Sequence, residues 1–281
     1  MPYLDHTDIE LIHPHILRGH IRAALFDFDG TLSLIREGWQ GVMISMMVEL
    51  LTQTSHHESE AELHAHVTEY VERLTGEQTI YQMIQLAEEV RRRGGHPLDP
   101  LDYKRQYHDR LWQRIAGRVA ALKSGQIAPD EMLVAGTRGF LAALCARDTP
   151  CFLASGTDEP FVRDEAAALN IDGYFARIYG ARDDYLRATK KLVIDHIMRE
   201  HGLRGEEFVA FGDGFVEIEN VKGVGGIAVG VASNEIERRG VNAWKRDRLI
   251  RAGADVIVPD FREHDELIAY LFDSPANRSG L

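Results

Sequence analysis

Positions 21 to 28, IRAALFDF, form a short apolar run that ends in acidic residues and then Gly30. This is the pattern of a buried strand that delivers carboxylates to its C-terminal edge. Beyond it the period changes. Residues 38–54, 59–75, 78–93 and 100–122 each place apolar side chains at helical spacing, with breaks such as GGHPLDP between them, so four helices are expected in succession. From 129 onward the chain alternates. A helix is expected at 130–147, a strand at 150–154 (CFLAS), a helix at 159–169, a strand at 174–178, a helix at 189–201, a strand at 207–211 and a short helix near 215–222. IAVGV at 227–231 and ADVIV at 254–258 complete the strands, with helices expected at 235–251 and 263–272.

Strands alternating with helices imply a parallel, doubly wound α/β sheet of the Rossmann-like kind. The simplest architecture builds this core from residues 1–33 and 130–281 and interrupts it after the first strand with an all-helical cap, residues 34–129. The cap leaves and rejoins the core near the C-terminal strand edge, where open α/β sheets bind ligands, so it is expected above the carboxylates.

Composition narrows the partners. With 32 Lys plus Arg against 44 Asp plus Glu, the net charge of −12 opposes phosphate polymers, so nucleic acid is not an expected partner. A small anionic substrate stays compatible, because a bound cation and a few buried donors reverse the local field. The N-terminus lacks a basic-then-apolar signal pattern, and no apolar stretch reaches membrane-spanning length. The two cysteines, Cys145 and Cys151, are read as buried thiols, and a cytoplasmic protein without a membrane partner is expected.

Asp27 and Asp29 lie two apart at the end of the first strand, and Gly30 lets the backbone turn. Such a pair either recruits a divalent cation or divides into an ionised nucleophile and a protonated acid. A plain turn is the alternative for DFDG taken alone. Ser155 in ASGT stands at a strand-to-helix junction, where it serves as a helix cap or joins the following amides in holding a phosphoryl oxygen. TKKLVIDHIM opens a helix with Lys190 and Lys191, either of which is a solvated side chain or a cation for developing phosphoryl charge. In FVAFGDG, Asp213 ends a strand, and Glu217 follows on a helical turn, a set of oxygens suited to magnesium or, for Asp213, to capping.

In order and context, DFDGT, SGT, the helix-start lysine and GDGxxxE resemble the four motifs of the haloacid dehalogenase superfamily of phosphohydrolases. The resemblance implies that Asp27 attacks phosphorus, that Asp29 protonates the leaving alcohol and then activates water, and that Ser155 and one lysine bind the transferring group. It further implies Mg2+ between Asp27, Asp213 and the Asp29 main-chain carbonyl, with Glu217 nearby and Thr31, Gly156 and Thr157 as substrate contacts. Lys190 is favoured over Lys191, since the family's lysine lies at the helix start and Lys191 would point about 100° away. Dehalogenase chemistry is disfavoured because Asp29 is present.

The helical insertion resembles the superfamily cap that closes over small substrates. Arg36, Glu37 and Trp39 follow the first motif, and Glu77 and Gln78 in TGEQT begin a cap helix. Each is a candidate for lining the cleft, with an ordinary surface or capping role as the alternative. His56, His57, His64 and His66 are read as a solvated helix face rather than a metal site, and GVGGIAVGV lacks an ordered dinucleotide loop. The expected activity is a magnesium-dependent phosphatase acting on a small phosphorylated metabolite, a sugar phosphate or a phosphoglycolate-like acid. A phosphomutase using the same phospho-aspartate and a non-catalytic phosphometabolite-binding regulator are the alternatives.

Overall fold

The computed structural model describes residues 3–182, 184–185 and 189–273, so the core ends assigned at 1 and 281 lie outside the described residues. Seven strands form one sheet: β1 Glu10–Leu11, β2 Ala23–Phe26, β3 Cys151–Asp158, β4 Phe175–Ala181, β5 Phe208–Gly212, β6 Ile227–Val231 and β7 Val256–Val258. Their spatial order is β1-β7-β6-β5-β2-β3-β4, with every pair parallel except the edge pair β1–β7. The sheet is therefore mixed rather than wholly parallel. The two-residue edge strand gives no periodicity to read and pairs only because Glu10 and Leu11 lie beside Ile257 and Val256.

Alternation along the central strands sends side chains to two separate cores. Phe26, Val209, Phe211 and Val229 face one side with Phe140 and Leu267, while Leu25, Phe208, Ala210 and Ala228 face the other with Ile194, Ile218 and Leu249. Helices α5 (Thr137–Cys145), α6 (Glu159–Ala168) and α10 (His264–Phe272) cover the first face. Helices α7 (Lys190–Glu200), α8 (Phe215–Gly223) and α9 (Ala243–Arg251) cover the second. Between β2 and α5 run α1 (Trp39–Leu51), α2 (Glu60–Arg73), α3 (Thr79–Arg92) and α4 (Pro100–Lys123), the inserted helical cap. Ser59 and Glu62 form a reciprocal capping box at the start of α2, and Asp99 caps α4 ahead of Pro100.

Four expectations change. The helix expected at 130–147 breaks into a short 3-10 turn, Pro129–Met132, and α5. Between them the Val134 N–H donates to the Leu32 carbonyl, which pulls the chain out of helical geometry. Gly136, at φ 79°, packs against the Phe261 carbonyl where a Cβ would collide. The helix expected at 235–251 begins only at Ala243, since the Asn242 side chain caps it by accepting from the Lys245 N–H. Cys145 is exposed, while Cys151 is buried and its thiol is pushed up to about 12 by desolvation. Finally, β2 ends at Phe26, so Asp27 and Asp29 stand on the turn beyond the strand rather than on one strand face.

Candidate active site

That turn is tight. The Leu32 and Ser33 N–H groups both donate to the Phe28 carbonyl, and Gly30 takes φ 75° with Asp213 where a Cβ would project. Phe28 is fully buried between the two acids and anchors them. Asp27, Asp29, Ser155, Gly156, Thr157, Lys190 and Asp213 line one cavity of about 80 Å³ at the C-terminal ends of β2, β3 and β5. Arg36, Trp39, Thr75, Gly76, Glu77, Thr79, Gln82 and Tyr107 complete its wall.

The Asp27 carboxylate accepts from Lys190 Nζ at 2.8 Å. Burial pushes its pKa upward, Lys190 pulls it down, and the nearby Asp213 charge pushes it up again. Lys190 opens α7, whose first turn is capped by Thr189, and its ammonium also contacts the buried Glu217. Lys191 points elsewhere, pairing with Asp195 at 2.9 Å on the surface.

Asp29 has a different setting. Its Oδ2 accepts from Thr157 Oγ1 at 2.9 Å, its Oδ1 is buried without a hydrogen-bond donor, and Arg36 Nε lies 3.8 Å away. Burial raises its carboxyl to about 7, against the pull of Arg36 and with the help of Glu165 and Asp27. The Arg36 fork is largely committed to Glu165, at 2.6 Å for the shortest contact. Asp29 is thereby held in its protonated form well above the ordinary carboxylate range.

Ser155 lies within β3, where its Oγ accepts from the Thr157 N–H at 3.0 Å. Gly156 runs under the cap, with the Glu77 carbonyl only 3.0 Å from where a Cβ would sit. Asp213 donates its N–H to Thr31 Oγ1 at 3.0 Å, and its Oδ2 meets Lys245 Nζ at 2.7 Å.

Some expected residues stand elsewhere. Thr31 is fully buried, its hydroxyl accepting from the Asp213 N–H, so it holds the turn and is not among the residues that line the cavity. Glu217 sits behind Lys190 and is not among the residues that line the cavity. Glu37 faces a neighbouring chamber and pairs with Arg118 at 3.5 Å and Arg238 at 3.7 Å. Gln78 is buried and donates to the Tyr185 carbonyl at 3.2 Å, while its neighbours Glu77 and Thr79 line the cavity. The histidine-rich stretch is not one helix face. His56 and His57 precede α2, and His66 bonds Glu89 at 3.0 Å. No cluster of three or more His, Cys, Asp or Glu side chains is arranged to hold a metal among the described residues.

Lys245 escaped the sequence reading because WKRDRLIR has the look of a solvated basic helix face. Burial lowers its affinity for a proton, but Asp213 and Glu235 outweigh that and hold the ammonium above the ordinary lysine range. Glu165 was missed for the same reason, as one acid among several on α6.

A largely parallel sheet with buried carboxylates at its C-terminal edge, roofed by inserted helices, defines an α/β enzyme with a capped cleft. Residues 21–225 match the haloacid dehalogenase-like hydrolases, and the chain belongs to that family. Its fold is similar to that of a predicted phosphoglycolate phosphatase from Haemophilus somnus, at 15% identity and TM-score 0.59 over 88% of this chain and 98% of that one. It is also similar to CbbY from Rhodobacter sphaeroides in complex with phosphate, at 21% identity and TM-score 0.55 over 86% of this chain and 96% of that one. A β-phosphoglucomutase-like protein from Thermotoga maritima follows at 17% identity and TM-score 0.51, covering 93% of this chain and 100% of that one. Among curated proteins no sequence match is found. No helix among the described residues is long and apolar enough to cross a membrane.

Proposed function

We propose that this hydrolase is a divalent-cation-dependent phosphatase that removes phosphate from a small phosphorylated metabolite through an aspartyl-phosphate on Asp27. The observation that carries the reading is the meeting of Asp27, Asp29, Ser155, Lys190 and Asp213 around one small cavity. Lys190 keeps a nucleophilic carboxylate available in a buried setting, and the same burial keeps a proton on Asp29. Burial shifts both acids upward, and what separates them is the partner: a lysine ammonium bonds Asp27, a threonine hydroxyl bonds Asp29.

An Asp27 oxygen attacks phosphorus while the ester P–O bond breaks and the departing alcohol oxygen takes the Asp29 proton. Asp29, now a carboxylate, takes a proton from water as that water attacks the phosphorus of the acyl phosphate. Phosphate leaves, Asp27 regains its carboxylate and Asp29 its proton. Ser155 and Lys190 hold the oxygens of the group in transit.

The donors present fit a hard cation. Asp27 and Asp213 are oxygen ligands whose charges repel across the cavity, and Lys245 engages only one Asp213 oxygen. Asp27, Asp213 and the Asp29 main-chain carbonyl would hold Mg2+, two side chains and one backbone oxygen rather than a cluster of three side chains. When bound, the ion offsets the charge of the phosphate dianion.

Residues 34–129 are proposed as the cap that sorts leaving groups. In support, the Leu34 N–H donates to the Met132 carbonyl and Val134 to Leu32, so the outgoing and returning segments lie side by side. A reducing, cytoplasmic setting suits the two free thiols.

Phosphate release from a panel of phosphate esters tests the proposal, with magnesium and after chelation. Asp27→Asn is expected to lower turnover about 10⁴-fold or more. Undiminished activity in that variant, or after complete metal removal, sinks the mechanism. A phosphomutase would instead yield an isomeric phosphate ester without free phosphate.

A further inference from the structure

The catalytic cavity, at about 80 Å³, is the smaller of two adjoining spaces. A second chamber of about 200 Å³ adjoins it and shares Trp39, Thr75 and Asp213 in its wall. It lies between the start of α1, the end of α2 and the segment joining β6 to α9, and Ile236, 83% exposed, stands in its wall.

We propose that this second chamber holds the leaving group, and that it selects a neutral polyhydroxylated one, a sugar or polyol monophosphate, over substrates bearing a second anionic group. The inference rests on the phosphatase reading and adds the substrate class. The charges in the wall carry it. Lys245 is the one cation among the described lining residues, and it is already engaged by Asp213 and Glu235, each at 2.7 Å. Glu37, on the opposite side, takes Arg118 and Arg238 for itself. A carboxylate or second phosphate would therefore meet Glu37 and Glu235 already paired and no uncommitted cation in the wall, an arrangement that gives it no partner.

Hydroxyl groups meet suitable partners there. Gln40, Thr75, Asn234 and Asn242 line the chamber. The amide oxygens of Asn234 and Asn242 accept from the Glu237 and Lys245 N–H groups, which fixes both side chains and leaves their amide nitrogens as donors. Trp39 and Trp244 add the broad apolar surface that the C–H face of a sugar ring can cover. Neutral donors and acceptors with aromatic walls favour a polyol; a free basic side chain would be needed to favour an acid.

The test compares kcat/KM of the purified full chain with magnesium for the monophosphate of a neutral hexose, phosphoglycolate, a sugar bisphosphate and acetyl phosphate. The hexose monophosphate is expected to exceed phosphoglycolate and the bisphosphate by about a hundredfold. Gln40→Lys, which puts a cation on the half-buried first turn of α1, is expected to shrink that gap. Trp244→Ala is expected to lower the hexose monophosphate rate relative to acetyl phosphate. Circular dichroism verifies that both variants fold. Equal or better turnover of phosphoglycolate or the bisphosphate by the wild type overturns the inference, as does a substrate ratio that neither variant moves while acetyl phosphate is hydrolysed. Failure to hydrolyse acetyl phosphate or any ester overturns the phosphatase reading and this inference with it.

Discussion

On the core side of the catalytic cavity, reactive groups arrive from the ends of neighbouring strands, whereas the cap wall is assembled from helix ends and connecting turns such as Thr75, Gly76 and Glu77. The two sides are also held differently. Core groups sit in a web of buried charges, Lys190 with Asp27 and Glu217 and Lys245 with Asp213 and Glu235. The cap turn is held by Arg248 of α9, which donates to the carbonyls of Glu72, Arg73 and Thr75 at the end of α2 while lying over the Phe215 ring. Removing one charge from the core web strands its partners in low dielectric; releasing the cap turn only frees carbonyls that water can reach. Chemistry and closure can therefore be damaged separately.

The largest expected effect tests the core side. Asp29→Asn should lower kcat by about 10²–10⁴-fold on esters with poor leaving groups. In the wild type, activity on such esters should fall as pH rises through about 7, because Asp29 then loses the proton it donates. A pH–rate profile that keeps this limb in the variant would assign it to another group. Stability should fall over the same pH range. The folded Asp29 titrates at about 7 against 3.8 for the free side chain, so its stabilising contribution is complete below 3.8 and lost as pH rises through 7. Asp29→Asn should accordingly raise Tm more at pH 8 than at pH 5.

Next in size is Lys190→Met. It should cost about 10²–10³-fold in turnover and about 3–5 kcal/mol of stability, since Asp27 and Glu217 lose their shared cation. Lys191→Met, altering an exposed pair, should stay within about 0.5 kcal/mol in urea denaturation. Similar losses in both variants would break the distinction drawn between them.

The smallest effect tests the cap. Arg248→Ala should raise KM about tenfold with a lesser change in kcat, and should speed hydrogen exchange near residues 72–76. A fall in kcat as large as that of Asp29→Asn would tie the cap turn to the chemistry and erase the contrast between the two walls.

Much of the scaffold was legible before any coordinates. The four cap helices fall within a residue or three of their expected bounds, because each repeats apolar side chains at helical spacing over three or more turns. The misreadings have local causes. The stretch from Met132 to Gly136 has helical composition, but its backbone bonds to Leu32 and Leu34 across the sheet edge. Segment 235–242 carries Glu and Arg residues that suit a helix, yet Ser233 pairs with Val241 and the chain turns before Asn242. The candidate site was legible where a short motif carries it, as in DFDGT and GDG. It was not where a residue works through a partner far along the chain: Thr31 holds Asp213, and Arg36 reaches Glu165 129 positions away.

The sequence alone determined the strand and helix rhythm, the order of the motifs and the acids at the ends of β2 and β5, because these follow from periodicity and from chemistry carried within a few residues. Only the tertiary structure decided which charges neutralise which: that Lys190 faces Asp27 while Lys191 faces solvent, that Lys245 is buried between two acids, and that Glu217 stands behind the cavity. Burial and distance set those pairings, and neither is a property of neighbouring positions along a chain.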